Sequence, residues 1–130
     1  MQSQNKHNSK RGLFILLEGL DRSGKSSQAK SLRDHLEKTT QVKHFRFPDR
    51  TSETGEIIND YLTNSIEIPP ADIHLLFSAN RWEASKTILD TLNSGISIVC
   101  DRYAHSGAAF TAAKNIQSLD IDWCRQCDIG

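Results

Sequence analysis

Residues 13–26 read LFILLEGLDRSGKS, and this stretch decides the fold. Its first five residues are apolar with no period-2 alternation, which predicts a strand buried on both faces. Gly19 to Ser26 then follow the pattern G-x-x-x-x-G-K-[ST]. Beyond it, Ala29, Leu32 and Leu36 recur at helical spacing among charged residues. In a strand, tight loop and helix, successive backbone N–H groups curl around phosphate oxygens while the helix N-terminus adds positive potential. Glycine is needed where a side chain would block that approach. Lys25 supplies a mobile cation between β- and γ-phosphates, and the Ser26 hydroxyl can ligate Mg²⁺. The stretch reads as a nucleotide phosphate site, the alternative being an ordinary strand–helix turn. Arg22 can reach a transferred phosphoryl group and stabilise its developing charge, the alternative being a solvated loop charge. Asp21 would repel phosphates if turned inward, so it is expected to face a second substrate or to orient an arginine.

Downstream, residues 42–47 form a second candidate strand, stopped by Pro48, and residues 55–62 a helix. After Pro69 and Pro70, one long helical segment is expected to run to about Asn93, with Ile73, Leu76, Phe77, Ala84, Ile88 and Leu92 on its apolar side. Gly95 stops it. Residues 96–100 predict a third buried strand, residues 106–114 a helix, and the segment around Trp123 a last helical turn. Strands alternating with helices predict parallel βαβ units in one domain. Residues 1–11 are polar and are expected to form a flexible tail without a secretory signal.

Composition narrows the class. The 130 residues carry 16 Lys plus Arg against 16 Asp plus Glu, so net charge gives no reason to expect a nucleic acid polymer or an acidic membrane as partner. Hydrophobic residues make up 37 %, enough for a core, and no run approaches the roughly 18 apolar residues of a membrane span. Three cysteines cannot build a disulfide framework and fit a reducing compartment. Cys124 and Cys127 form a lone CxxC without the further ligands a zinc site needs, and Cys100 reads as a small buried hydrophobe.

The strand ends carry the chemistry. Residues 46–50, RFPDR, close the second strand, and residues 101–103, DRY, close the third. In open parallel sheets, ligands sit outside the carboxyl ends of strands. One phosphate loop and two arginine-bearing turns in one crevice suggest transfer between two phosphorylated molecules, because arginine suits bidentate phosphate recognition. The alternative is that Arg50 and Arg102 pair with Asp49 and Asp101 at the surface. On the long helix, Phe77 and Arg81 share a side by i,i+4 spacing. They can stack on a base and donate to its carbonyl edge, or Phe77 can simply pack in the core.

Five segments now resemble one family: LEGLDRSGKSSQ (17–28), FRFPDRTSETG (45–55), LLFSANRWE (75–83), DRYAHSGAAFTAAK (101–114) and SLDIDWCRQCDIG (118–130). In order and spacing the chain resembles the thymidylate kinase family of P-loop nucleoside monophosphate kinases, eukaryotic and poxvirus members above all. The resemblance implies a three-layer α/β/α fold with a parallel sheet of family order 2-3-1-4-5. Residues 12–130 would be a partial domain holding the first three strands, without the lid and the C-terminal strands and helices. Strand 1 would then lie at an edge. The implied reaction is ATP plus dTMP giving ADP plus dTDP with Mg²⁺.

The resemblance also assigns residues. Gly19, Leu20, Asp21, Arg22, Ser23, Gly24, Lys25, Ser26 and Ser27 match the ATP-binding loop. Arg22, Lys25, Asp21 and Arg102 match catalytic positions, and Ser26 and Asp101 the magnesium site. The dTMP-binding positions are Asp21, Phe47, Arg50, Phe77, Arg81, Arg102, Tyr103, Ser106, Gly107 and Phe110. Among these, Phe77 matches the ring on thymine and Arg81 the donor to its O4. His105 departs from the phenylalanine often found in related sequences. A homodimer in the full-length parent and a cytoplasmic location, extending to the nucleus, complete the expectations. The 130 residues alone are expected to be impaired or inactive. The alternatives are a non-catalytic fragment that binds nucleotide or partner subunits, and a kinase for another nucleoside or nucleotide.

Overall fold

A computed structural model describes residues 10–18 and 25–128, with the side chains of Lys25, Ser26 and His105 left aside. Three parallel strands, β1 (Phe14–Leu17), β2 (Val42–Arg46) and β3 (Ser97–Asp101), form a sheet in the order β1-β3-β2. Parallel neighbours require long crossovers. Helix α1 (Lys25–Leu36) joins β1 to β2, while α2 (Glu53–Leu62), α3 (Pro70–Glu83) and α4 (Ser85–Asn93) lie between β2 and β3. Helices α5 (Ala104–Ala112) and α6 (Ile121–Cys127) follow β3. None of these helices is long and apolar enough to cross a membrane.

The central strand β3 is buried at every residue, as its apolar run predicts. Ile98 and Cys100 point to one face, where they pack with Phe47 and with Ile88 and Leu92 of α4. Alternation sends Val99 to the other face, which α1 covers. The sheet therefore lies between helical layers. Strand β1 departs from its expected double burial: Leu13 is 63 % exposed and Phe14 36 %. Among the described residues β1 pairs only with β3, so its far side lacks a neighbour to cover it.

The expected long helix is two helices. It breaks at Ala84, whose N–H donates to the carbonyls of Arg81 and Trp82, closing a tight last turn on α3. The break lets α3 and α4 serve different cores. Ile73 and Phe77 of α3 pack with Ile58 of α2, whereas Ile88 and Leu92 of α4 pack on the sheet. Gly95 follows α4 with φ +83°, a conformation that favours glycine.

Register fixes where the strands end. Leu17 and Arg46 both pair with Asp101, so the carboxyl ends of all three strands lie level at one end of the sheet.

Candidate active site

The residues that leave those strand ends line one pocket of about 220 Å³. Arg46 ends β2, Phe47, Pro48 and Arg50 come from the turn after it, and Arg102 and Tyr103 from the turn after β3. Leu62 comes from α2, Phe77 and Arg81 from α3, and Ser106, Gly107 and Phe110 from α5. Every described residue expected at the dTMP site, nine in all, is in this lining. The volume is below the roughly 300–1,000 Å³ of drug-sized sites, so the pocket suits one small ring-bearing ligand. Four aromatic rings and four arginines dominate its walls, and no acidic residue lines it among the described residues.

Each side chain is placed for a local reason. After β2, the Phe47–Pro48 peptide is cis. Asn80 of α3 then holds the turn: its Oδ1 accepts from the Asp49 N–H at 2.7 Å, and its Nδ2 donates to the Asp49 carbonyl at 2.8 Å. The Nδ2 group also donates to the Ser52 and Thr54 hydroxyls, both at 3.1 Å. Gly55 lets α2 come close, since a Cβ there would sit 1.9 Å from the Asp49 carbonyl oxygen. Arg50 donates to Asn59 Oδ1 at 3.2 Å. Asp49 meanwhile accepts from the Thr51 N–H and hydroxyl, so these hydrogen bonds do not form the surface pair weighed above.

After β3, Arg102 has φ +66°, a conformation of about 1–3 kcal/mol cost for a residue with a Cβ. Its N–H donates to the Leu17 carbonyl at 2.9 Å, which turns the chain at the tip of β1. Glu18 completes the link. Its carboxylate accepts from the Tyr103 N–H at 2.9 Å, from the Ser106 N–H at 3.3 Å and from the Ser106 hydroxyl. An acidic group on the first turn of α5 satisfies donors that the helix leaves unpaired. The residue before the Gly19–Ser26 segment is thus tied to the wall of the pocket.

Phe77 is a core residue that also lines the pocket. It packs with Ile58 and Ile73, and its ring meets Phe110 edge-on at 5.6 Å on the pocket side. Tyr103 packs edge-on against Phe47 at 5.3 Å, and burial pushes its hydroxyl above the usual tyrosine range. Beneath the site, burial first and then Glu18 and Asp101 push the Cys100 thiol up to about 12, which favours the protonated, unreactive form.

Gly19, Leu20, Asp21, Arg22, Ser23 and Gly24 lie outside the described residues, as do the side chains of Lys25 and Ser26. Ser27 is exposed on the first turn of α1. Asp101 is buried at the tip of β3, level with Leu17. Among the described residues no group of three or more His, Cys, Asp or Glu side chains is placed to hold a metal ion. Mg²⁺ needs no such cage. It keeps waters and phosphate oxygens and uses one or two hard oxygen ligands, which a carboxylate at 101 and a hydroxyl at 26 would provide.

Reading the sequence missed three contributors. Glu18 and Asn80 hold the walls, and Asp128 pairs with Arg81 through two hydrogen bonds. Nothing in their spacing signals these contacts, because each bridges elements far apart in the chain.

Residues 17–130 match the family model described as thymidylate kinase. The chain belongs to the thymidylate kinase family. A thymidylate kinase of Dictyostelium discoideum is 53 % identical over 123 residues, covering 93 % of this chain and 54 % of that protein. The human thymidylate kinase is 43 % identical over 122 residues, covering 93 % and 57 %. The solved thymidylate kinase of Candida albicans superposes with TM-score 0.86 at 48 % identity, over 92 % of this chain and 58 % of that one. That of Ehrlichia chaffeensis gives 0.76 at 26 %. The chain thus spans little more than half the length of these curated relatives. The fold is the three-layer α/β kinase architecture of these structures, over part of their extent.

Proposed function

We propose that the protein transfers the γ-phosphoryl group of ATP to dTMP, with this pocket as the acceptor site. The observation that carries the reading is the joining, in one small cavity, of two arginine-bearing strand ends with the Phe77–Arg81 side of α3. A nucleoside monophosphate has both matching parts, a dianion and a flat ring. Arg50 and Arg102 receive the 5′-phosphate, whose fork geometry suits guanidinium. Phe77 offers its ring to the base, Phe110 walls the pocket beside it, and Arg81 donates to a 4-keto oxygen.

The donor end follows from residues 19–26. In this reading their backbone N–H groups serve the ATP phosphates, Lys25 contributes a cation, and Arg22 would stabilise charge on the transferred group. Asp21 would serve the acceptor sugar. Ser26 and Asp101 would hold Mg²⁺, which when bound neutralises charge on the donor phosphates. The acceptor oxygen is already anionic, so no strong general base is required. Catalysis is positioning plus charge stabilisation, and Glu18 couples the two ends by binding the acceptor wall at the start of the phosphate loop.

The test compares kcat/KM for dTMP, dUMP, dCMP and dGMP with ATP and Mg²⁺ on the whole protein. The 4-keto pyrimidines are expected to lead. Use of dGMP equal to or better than dTMP would reject the assignment in favour of a kinase for another nucleotide.

A further inference from the structure

Arg81 is 4 % exposed, and a buried guanidinium needs a partner. Asp128 at the C-terminal end of α6 provides it: Arg81 Nε donates to Oδ1 at 3.0 Å and Nη2 to Oδ2 at 2.8 Å. The carboxylate is itself held. The Ser78 hydroxyl donates to Asp128 Oδ1 at 3.1 Å and to the Cys127 carbonyl at 2.8 Å, and the Trp82 indole donates to the same carbonyl at 3.2 Å. Residues 78, 81 and 82 form one strip of α3, so the strip grips the end of α6 as a unit.

A guanidinium carries its donors in a rigid planar fork. Asp128 takes the Nε/Nη2 edge, which fixes where the remaining corner goes. Nη1 lies against Gly107, where an added Cβ would sit 2.8 Å from it, and the group sits 5.9 Å from the Tyr103 ring. Gly107 and Tyr103 are pocket walls.

We propose that Asp128 is a specificity-positioning residue: it holds Arg81 by one edge so that Nη1 is presented to a carbonyl-bearing base in the pocket. A 4-keto pyrimidine accepts from that nitrogen, whereas a 4-amino pyrimidine meets donor with donor. The inference rests on the acceptor-site reading above and adds a residue that touches no substrate.

Binding to the pocket is read without turnover. Dissociation constants for dTMP and dCMP are measured by titration calorimetry on the wild type, Asp128→Asn, Arg81→Ala and the double variant. Asp128→Asn is expected to weaken dTMP about tenfold and to lower the dTMP preference over dCMP by a similar factor. In the Arg81→Ala background it should change neither, because its effect passes through Arg81. An unchanged preference, tighter dTMP binding, or an undiminished effect without Arg81 overturns the proposal. Should Asp128→Asn fail to fold, Gly107→Ala is decisive: its methyl displaces Nη1, and a preserved preference refutes the role. A wild type that does not prefer dTMP to dCMP defeats the functional reading itself, a result distinct from loss of the Asp128 effect alone.

Discussion

The Asn80 side chain has four hydrogen-bond contacts among the described residues, and these end on residues 49–54. Both its amide oxygen and its amide nitrogen are used, so neither Asp nor Leu replaces it. Asn80→Ala leaves the Asp49 N–H and carbonyl without these partners in a partly buried turn, at a cost of about 2–3 kcal/mol. The expected result is a lower denaturant midpoint with an unchanged slope, together with weaker dTMP binding, because Arg50 loses its platform. Wild-type stability in Asn80→Ala would show that the turn stands without the helix. The strand-end arginines and the Phe77–Arg81 pair were legible in the sequence because each lies at a recognisable offset from a strand end or along a helix. Asn80, Glu18 and Asp128 were not legible, since a lone polar residue gives no period and its partner lies at a distance only the fold sets. Arg102 carried a further hidden property, its left-handed backbone, which glycine or asparagine would signal and arginine does not.

At the scale of elements, α3 meets α2, α5 and α6, and His74 is buried at the α5 and α6 contacts. Its Nδ1 lies 2.6 Å from the Thr111 hydroxyl of α5 and 3.9 Å from Cys124 Sγ of α6, and its ring lies 5.0 Å from that of Trp123. Burial first, and then repulsion from Arg81, hold His74 below its ordinary value of 6.5, with Asp128 opposing and Lys114 adding slightly to the fall. The unfolded chain therefore takes up a proton near pH 6.5 that the folded chain refuses. Unfolding free energy falls as pH drops below that value and recovers as pH rises. His74→Gln removes the titration and keeps a polar group near Thr111. Between about pH 7 and pH 5, the variant is expected to lose stability less steeply than the wild type, measured by urea unfolding at each pH. His44, also lowered by burial, is present in both proteins and cancels. Equal slopes would place the buried histidine's protonation elsewhere. The elements themselves were largely visible from periodicity. The break at Ala84 was not, because neither proline nor glycine marks it and its cause is tertiary: α3 and α4 pack into separate cores.

For the whole molecule, the sheet places its most buried strand at the centre and the strand that leads to Gly19–Ser26 at one side. The sequence implied this order through family resemblance, while its apolar run alone predicted a doubly buried β1. Burial depends on neighbours as well as on composition, and β1 has one strand neighbour among the described residues. The two halves of the proposed reaction should therefore respond differently when residues 1–130 are expressed alone. The acceptor pocket draws its walls from the ends of β2 and β3 and from α2, α3 and α5, all within this chain. The donor end hangs on β1, whose Phe14 is exposed together with the preceding Leu13, and transfer needs placement to within about half an ångström. Relatives of this chain carry over two-fifths more of their length beyond the matched part. The 130 residues should thus bind dTMP measurably by calorimetry. Their rate of dTDP formation should be at least about a hundredfold below that of the full-length Dictyostelium relative assayed alongside, because the match spans 54 % of that relative and transfer depends on support around the reacting groups and exclusion of water. A monodisperse, cooperatively melting sample that turns over dTMP within tenfold of that relative would show that β1 with β3 alone suffices to shape the donor site.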